Sequence, residues 1–225
     1  MNRLLLLPIS LFLLFFVAQQ PLPAQSDAKA QTYINRLKKA TASPDGWKAR
    51  FVFFASETAV SADLSSGREG FLFVLGGRYK IQLSDMELFF DGRVVAQYLA
   101  DANELTLSNA EDFFDPEDLT LFNPLKLFDV QSKDFAMQFL GATTVNGSAA
   151  AGVLLKPRKE TNRYESVLLT IDEKSALPLR LKITRKGGGE QLLHLTLPAT
   201  PEKITGQMVT FQPSAHPGVE TIDMR

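Results

Sequence analysis

Glu69 to Leu83 reads EGFLFVLGGRYKIQL. Two runs rich in β-branched and aromatic residues flank Gly76-Gly77, and such a pair supplies the positive φ that a tight hairpin needs. The unit recurs along the chain. Glu87 to Phe90 and Val94 to Leu99 flank Asp91-Gly92. Ala136 to Val145 and Ser148 to Lys156 flank Asn146-Gly147. Leu179 to Arg185 and Glu190 to Leu197 flank Gly187-Gly188-Gly189. Upstream, Trp47 to Ser56 (WKARFVFFAS) is aromatic and β-branched. Leu105-Leu107, Glu165 to Ile171, Met208 to Phe211 and Glu220 to Met224 are further strand-like runs. The total is about eleven strands. Short connections predict an antiparallel meander in one domain.

An antiparallel sheet with one wet face alternates apolar and polar residues. Phe51-Val52-Phe53-Phe54, Phe71-Leu72-Phe73-Val74-Leu75 and Val167-Leu168-Leu169 are apolar on both faces. Two segments are available to cover them. Ser26 to Thr41 is a helix candidate with Ala30, Ile34, Leu37 and Thr41 on one stripe, Ser26 or Asp27 as cap, and Pro44-Asp45-Gly46 as stop. Asp112 to Asp129 reads DFFDPEDLTLFNPLKLFD, too apolar to lie in water uncovered. Asp115 and Pro116 suit a helix start, with Glu117 and Asp118 near its positive end. Pro124 ends that helix or starts another. Two readings of the apolar excess follow: the core of a curved sandwich, or a cavity for an apolar ligand.

The first two dozen residues are not expected to belong to the fold. Arg3 precedes an apolar run from Leu4 to Ala18, and Gln19 to Ala24 follows. This is the layout of a secretory signal peptide over 1–24, with Ala24 before the cut. The run is too short for the ~20 residues that span a bilayer. The mature domain is then 25–225 and is expected to be exported.

Composition narrows the chemistry. The 225 residues carry 24 basic and 25 acidic side chains, so no basic excess points to nucleic acid. There is no cysteine, which removes disulfides, thiolate metal sites and cysteine nucleophiles. His194 and His216 are the two histidines. His194 sits in an alternating strand run and His216 in a Pro-flanked loop without an obvious partner. Gly187 to Gly189 joins two strands and is a hairpin turn, not a phosphate loop. No enzyme, cofactor or metal is expected.

Several motifs in order resemble the periplasmic outer-membrane lipoprotein carrier (LolA) family. They are Trp47-x-Ala49-x-Phe51, Gly70-x-Leu72-x-Val74, Gly77-Arg78-Tyr79-Lys80 and Asp91-Gly92-Arg93-x-Val95-x-x-Tyr98. Leu154-x-x-Pro157, Ile171-Asp172, Leu177-Pro178, Phe211 and the ending Pro217-Gly218-Val219-Glu220 also fit. The resemblance implies a mainly β (α+β) fold: an unclosed antiparallel β-barrel with an N-terminal helix and a helical lid over its concave face. It implies a location in the periplasm and a cavity for the acyl chains of lipoproteins, taken from an inner-membrane lipoprotein-releasing ABC transporter and handed to an outer-membrane acceptor. A monomer is expected. The cavity residues are then Trp47, Phe51, Phe53, Leu72, Val74, Tyr79, Ile81, Phe90 and Tyr98. The lid residues are Leu119, Leu121, Phe122, Leu125 and Phe128. Two positions depart from the family. Leu75-Gly76 stands where it carries Arg-Pro, so the arginine that contacts the lid has no match, and Ala96 stands where it often has Trp. A different lid latch or cargo is left open. The alternative is a lipid-binding or sensor protein of the same fold, with another cargo or a protein partner.

Overall fold

The computed structural model describes residues 23–56, 67–115, 119–159 and 163–225. The expected signal peptide lies outside them except for its last two residues, where the first helix begins. Helix α1 (Pro23–Thr41) leads into β1 (Trp47–Ser56). A first meander follows: β2 (Arg68–Leu75), β3 (Arg78–Gln82), β4 (Met86–Phe90), β5 (Val94–Leu99) and β6 (Glu104–Asn109). Two short helices, α2 (Ala110–Phe113) and α3 (Pro124–Phe128), precede a second meander. It comprises β7 (Phe135–Val145), β8 (Ser148–Pro157), β9 (Tyr164–Asp172), β10 (Pro178–Arg185) and β11 (Glu190–Thr196). The chain ends with β12 (Glu220–Asp223). Among the described residues no helix is long and apolar enough to cross a membrane.

The strands form one sheet in the order β12-β6-β5-β4-β3-β2-β1-β11-β10-β9-β8-β7. β1 is the seam, paired antiparallel with β2 on one side and β11 on the other. The two ends of the order do not pair, so the barrel is unclosed. The expected hairpins form where Gly permits them. At Asn146-Gly147 both residues take left-handed φ, 49° and 81°, as a two-residue hairpin turn demands.

This topology dictates a lid. β6 and β7 are consecutive in the chain but ten strand spacings apart in the sheet, roughly 48 Å at about 4.8 Å each. Residues 110–134 must return across a face of the sheet. Their apolar side chains select the inner, concave one.

Three expectations are corrected. Helix α1 starts at Pro23, so Ser26 and Asp27 lie inside it rather than at its cap position. Met208 to Phe211 is not a strand. Gly206–Val209 forms a 3-10 turn because this segment crosses the outer face of the sheet, where no strand edge is available for pairing. It is fixed there by Ile204 N donating to Asp45 O (3.1 Å) and by burial of Ile204 and Val209. Having crossed, the chain meets the free edge of β6 running the same way, so β12 pairs with it in parallel rather than antiparallel.

Candidate functional site: the inner face and its lid

Side chains alternate across a strand, so the register defines rows on each face. One inner row runs Trp47, Val74, Tyr79, Phe90 and Val95 across five strands. The next runs Ala49, Leu72, Ile81 and Leu88. On the other side of the seam Phe51 faces Leu195. Phe53, Leu193, Leu181, Leu169, Val153 and Phe139 form a third row. Eight of the nine sequence-selected cavity residues therefore share the inner face. Tyr98 does not. It lies in the outer row Arg50, Phe71, Gln82, Glu87 and Tyr98. Val95 and Tyr98 are three residues apart in one strand and must point to opposite faces. Tyr98 instead packs on Phe211 (5.7 Å between ring centres) and His216 (4.2 Å) of the segment that crosses the outer face.

The lid fills the inner face. Phe128 sits against Trp47 (6.0 Å between rings) and Phe114 against Phe90 (6.0 Å, edge-on). Leu121, Leu127 and Phe128 are at most 2% exposed, and Trp47, Phe51, Leu72, Val74, Tyr79 and Ile81 at most 5%. Leu119, Phe122 and Leu125 are partly buried on the same cluster. Pro124 starts α3 at its first turn, and the side chain of Asn123 caps it by accepting from Lys126 N (3.3 Å). The helix expected after Asp115 would start on residues outside the described ones. From Leu119 the chain is irregular, and Asp115 pairs with Arg163 (2.9 Å). Helix α1 packs its Ala30–Ile34–Leu37–Thr41 stripe on the same side. Tyr33 stacks on Phe139 (5.4 Å), and Thr41 O accepts from Trp47 Nε1 (3.2 Å).

Two buried tyrosines hold the lid by its main chain. Tyr79 of β3 donates its hydroxyl to Phe122 O (2.6 Å). Tyr164 of β9 accepts from Leu119 N (2.5 Å). They come from opposite halves of the sheet and grip residues three apart. Burial pushes the Tyr79 phenol well above its usual range, so it stays a neutral donor. These two contacts tie the lid's main chain to both halves of the sheet. Tyr79 was legible in the Gly77-Arg78-Tyr79-Lys80 motif. Tyr164 was not, because the register between β9 and β10 shifts at Thr184/Arg185 and breaks the period of two there. The inner-face residues of the second half, Val153, Leu155, Val167, Leu169, Leu181 and Leu193, were also missed. Val153 to Leu155 and Val167 to Leu169 are apolar on both faces, so alternation could not sort them; β10 does alternate, Leu179, Leu181 and Ile183 against Arg180, Lys182 and Thr184, and that signal could have found Leu181.

Beside the filled region a cavity of about 320 Å³ remains between β8, β9 and the lid. Leu155, Val167 and Tyr164 form its floor, Leu119, Leu127 and Val130 its lid wall.

This arrangement is an open twelve-strand half-barrel whose concave face is covered by an apolar lid segment. No family model matches the chain, and no curated protein matches its sequence. A solved structure of similar fold is an uncharacterized conserved protein of Thermus thermophilus. The TM-score is 0.58 at 12% identity, covering 87% of this chain and 99% of that one. A LolA superfamily protein from Nitrosomonas europaea overlaps less, with TM-score 0.39 at 9% identity over 81% of this chain and 97% of that one. The Pseudomonas aeruginosa MucA/MucB complex gives TM-score 0.46 at 17% identity, over 82% of this chain and 62% of the matched chain.

Proposed function

We propose that this protein is a non-enzymatic periplasmic carrier that shields the acyl chains of lipoproteins between the inner membrane and an outer-membrane acceptor. The observation that supports it is the mating of two apolar surfaces through a lid latched by two tyrosine hydroxyls. Leu121, Leu127 and Phe128 cover a continuous apolar inner face. A lid of short helices and irregular chain carries few hydrogen bonds of its own, so displacing it disrupts little secondary structure. Acyl chains then replace lid side chains on the same surface. Each methylene kept from water contributes about 0.8 kcal/mol, which is why multiply acylated proteins do not leave a bilayer unaided. Cargo that binds the open form shifts the closed–open balance by its differential affinity. An inner-membrane lipoprotein-releasing ABC transporter would load the carrier, and the acceptor would empty it.

The test uses inner-membrane vesicles that hold a tagged lipoprotein. Adding the protein should bring the lipoprotein into the soluble fraction as a one-to-one complex. The same lipoprotein made without acyl chains should give no complex. Equal capture of both forms, or capture of neither, would remove the reading.

A further inference from the structure

The sheet has two edges, and they are built differently. β12 is four residues long and carries Glu220 and Asp223, a short charged edge of the kind that discourages further pairing. β7 is eleven residues long and reads FAMQFLGATTV, with no charge and no proline. Among the described residues it pairs with β8 alone. Leu140, Ala142, Thr143 and Thr144 are exposed.

Which backbone groups are free follows from the register. Asn146-Gly147 closes a two-residue turn, so Val145 and Ser148 bond to each other and the bonding alternates from there. The next pair, Thr144 and Ala149, turns its groups apart. Ala149 O accordingly accepts from Glu173 N on the β9 side (2.9 Å). Thr144 and, two residues back, Ala142 therefore present N–H and C=O to the open edge. Helix α1 stacks Tyr33 on Phe139, before the shift in register at Gly141, and the free stretch lies beyond it.

This stretch is complementary to itself. A twofold axis at Thr143 sets Ala142 opposite Thr144 of a second copy, and Thr144 opposite Ala142 of that copy. Each pair exchanges two hydrogen bonds, so every outward group of the stretch is met. The side chains agree. Thr143 meets Thr143 across the axis, at the close spacing of a pair that shares no backbone bond. Val145 of the second copy comes opposite Gly141, where nothing lies within 4 Å of a built Cβ, and beside Leu140, which is 51% exposed. A charge near the axis would face its own copy, and like charges directly opposite repel. β7 carries none, and the whole chain has a net charge of −1, so two copies meet with little repulsion.

We infer that β7 is a self-association edge. Two copies pair antiparallel about Thr143 and join their sheets, with both inner faces on the same side. The contact is small, so the dimer is weak and reversible. The inference does not rest on the carrier reading.

The test is sedimentation velocity of the protein over roughly 10 μM to 1 mM, where weak contacts form. It should show a monomer–dimer equilibrium, and the amides of Ala142 and Thr144 should exchange more slowly as concentration rises. Thr143→Lys, which sets two ammonium groups face to face, should raise the dissociation constant by about tenfold or more, less so in high salt. Thr143 is exposed, so this variant should keep a native circular dichroism spectrum. The chain has no cysteine, so a second variant reads the geometry directly. Thr143→Cys should oxidise to a disulfide-linked dimer about tenfold faster than Thr221→Cys, which is exposed on the other edge. A monomer throughout the range, a dimer that Thr143→Lys leaves intact, or equal cross-linking of the two cysteine variants would overturn the inference. Slow exchange at Ala142 and Thr144 in a monomer would place another segment of this chain on the edge and overturn it as well. Lipoprotein release enters none of these readouts, so the carrier reading stands or falls separately.

Discussion

Tyr79 and Tyr164 hold the lid from two sides, and a single oxygen can be removed from either. Tyr79→Phe keeps the ring packing on Phe90 (5.1 Å) but strands the carbonyl of Phe122. An unmet buried partner costs about 1–3 kcal/mol. Amide exchange over 119–128 should therefore quicken by about ten- to a hundredfold, with the strands unchanged. Unaltered exchange would show that the hydroxyl does not latch the lid. His194 offers a second residue-scale test, unrelated to cargo. Its Nε2 is buried without a hydrogen-bond partner among the described residues, and burial, with Arg180 beside it, pulls its pKa below the usual 6.5. Just below pH 6.5 the unfolded chain binds a proton that the folded chain resists, so stability falls as pH drops through that window. The unfolding midpoint should decline below about pH 6.5 in the wild type and decline less in His194→Gln. Sequence reading selected Tyr79 correctly for its face and misplaced Tyr98. Each tyrosine belongs to a separate motif of the resemblance, and the motifs say nothing of the strand parity that separates the two.

At the scale of elements, the hairpins were legible because their turn residues state their own geometry, and Pro124, read as ending one helix or starting another, starts α3. The segment near Met208 was not legible. Its alternation reads as a strand, and only the absence of a neighbouring edge makes it a turn. Pairing across β1 and β2 makes a sharper claim. Gly70 faces Phe51, and a Cβ there would come within 2.3 Å of Gln82 O and 2.6 Å of the Phe51 ring. Gly70→Ala should lower stability by about 1–3 kcal/mol, as overpacking does. Gly77→Ala, where nothing lies within 4 Å and φ is not left-handed, should cost far less. Urea midpoints decide; equal losses would contradict the register. In the lid, Phe122 is partly buried on the core cluster. Phe122→Glu should lower lipoprotein release while the circular dichroism spectrum stays native. A folded variant with full release would take Phe122 out of the lid's function.

For the whole molecule, strand number and the doubly apolar runs gave an antiparallel meander with a buried face; the unclosed barrel came only as what the resemblance implied, and strand order came from neither. Nothing local in Trp47 to Ser56 announces that β1 pairs with β11, some 140 residues later in the chain. Once that seam exists, the long return from β6 to β7 must cross a face of the sheet, and its apolar side chains place it on the inner one. The central claim is that acyl chains occupy the surface the lid covers. It is tested most directly with a lipoprotein bearing a photoactivatable group on its acyl chain, loaded from inner-membrane vesicles and irradiated in the soluble complex. The account predicts adducts on inner-face and lid residues such as Leu72, Ile81, Leu88, Leu121 and Phe128. Adducts confined to the outer face, at Phe71 and Phe73, would contradict it.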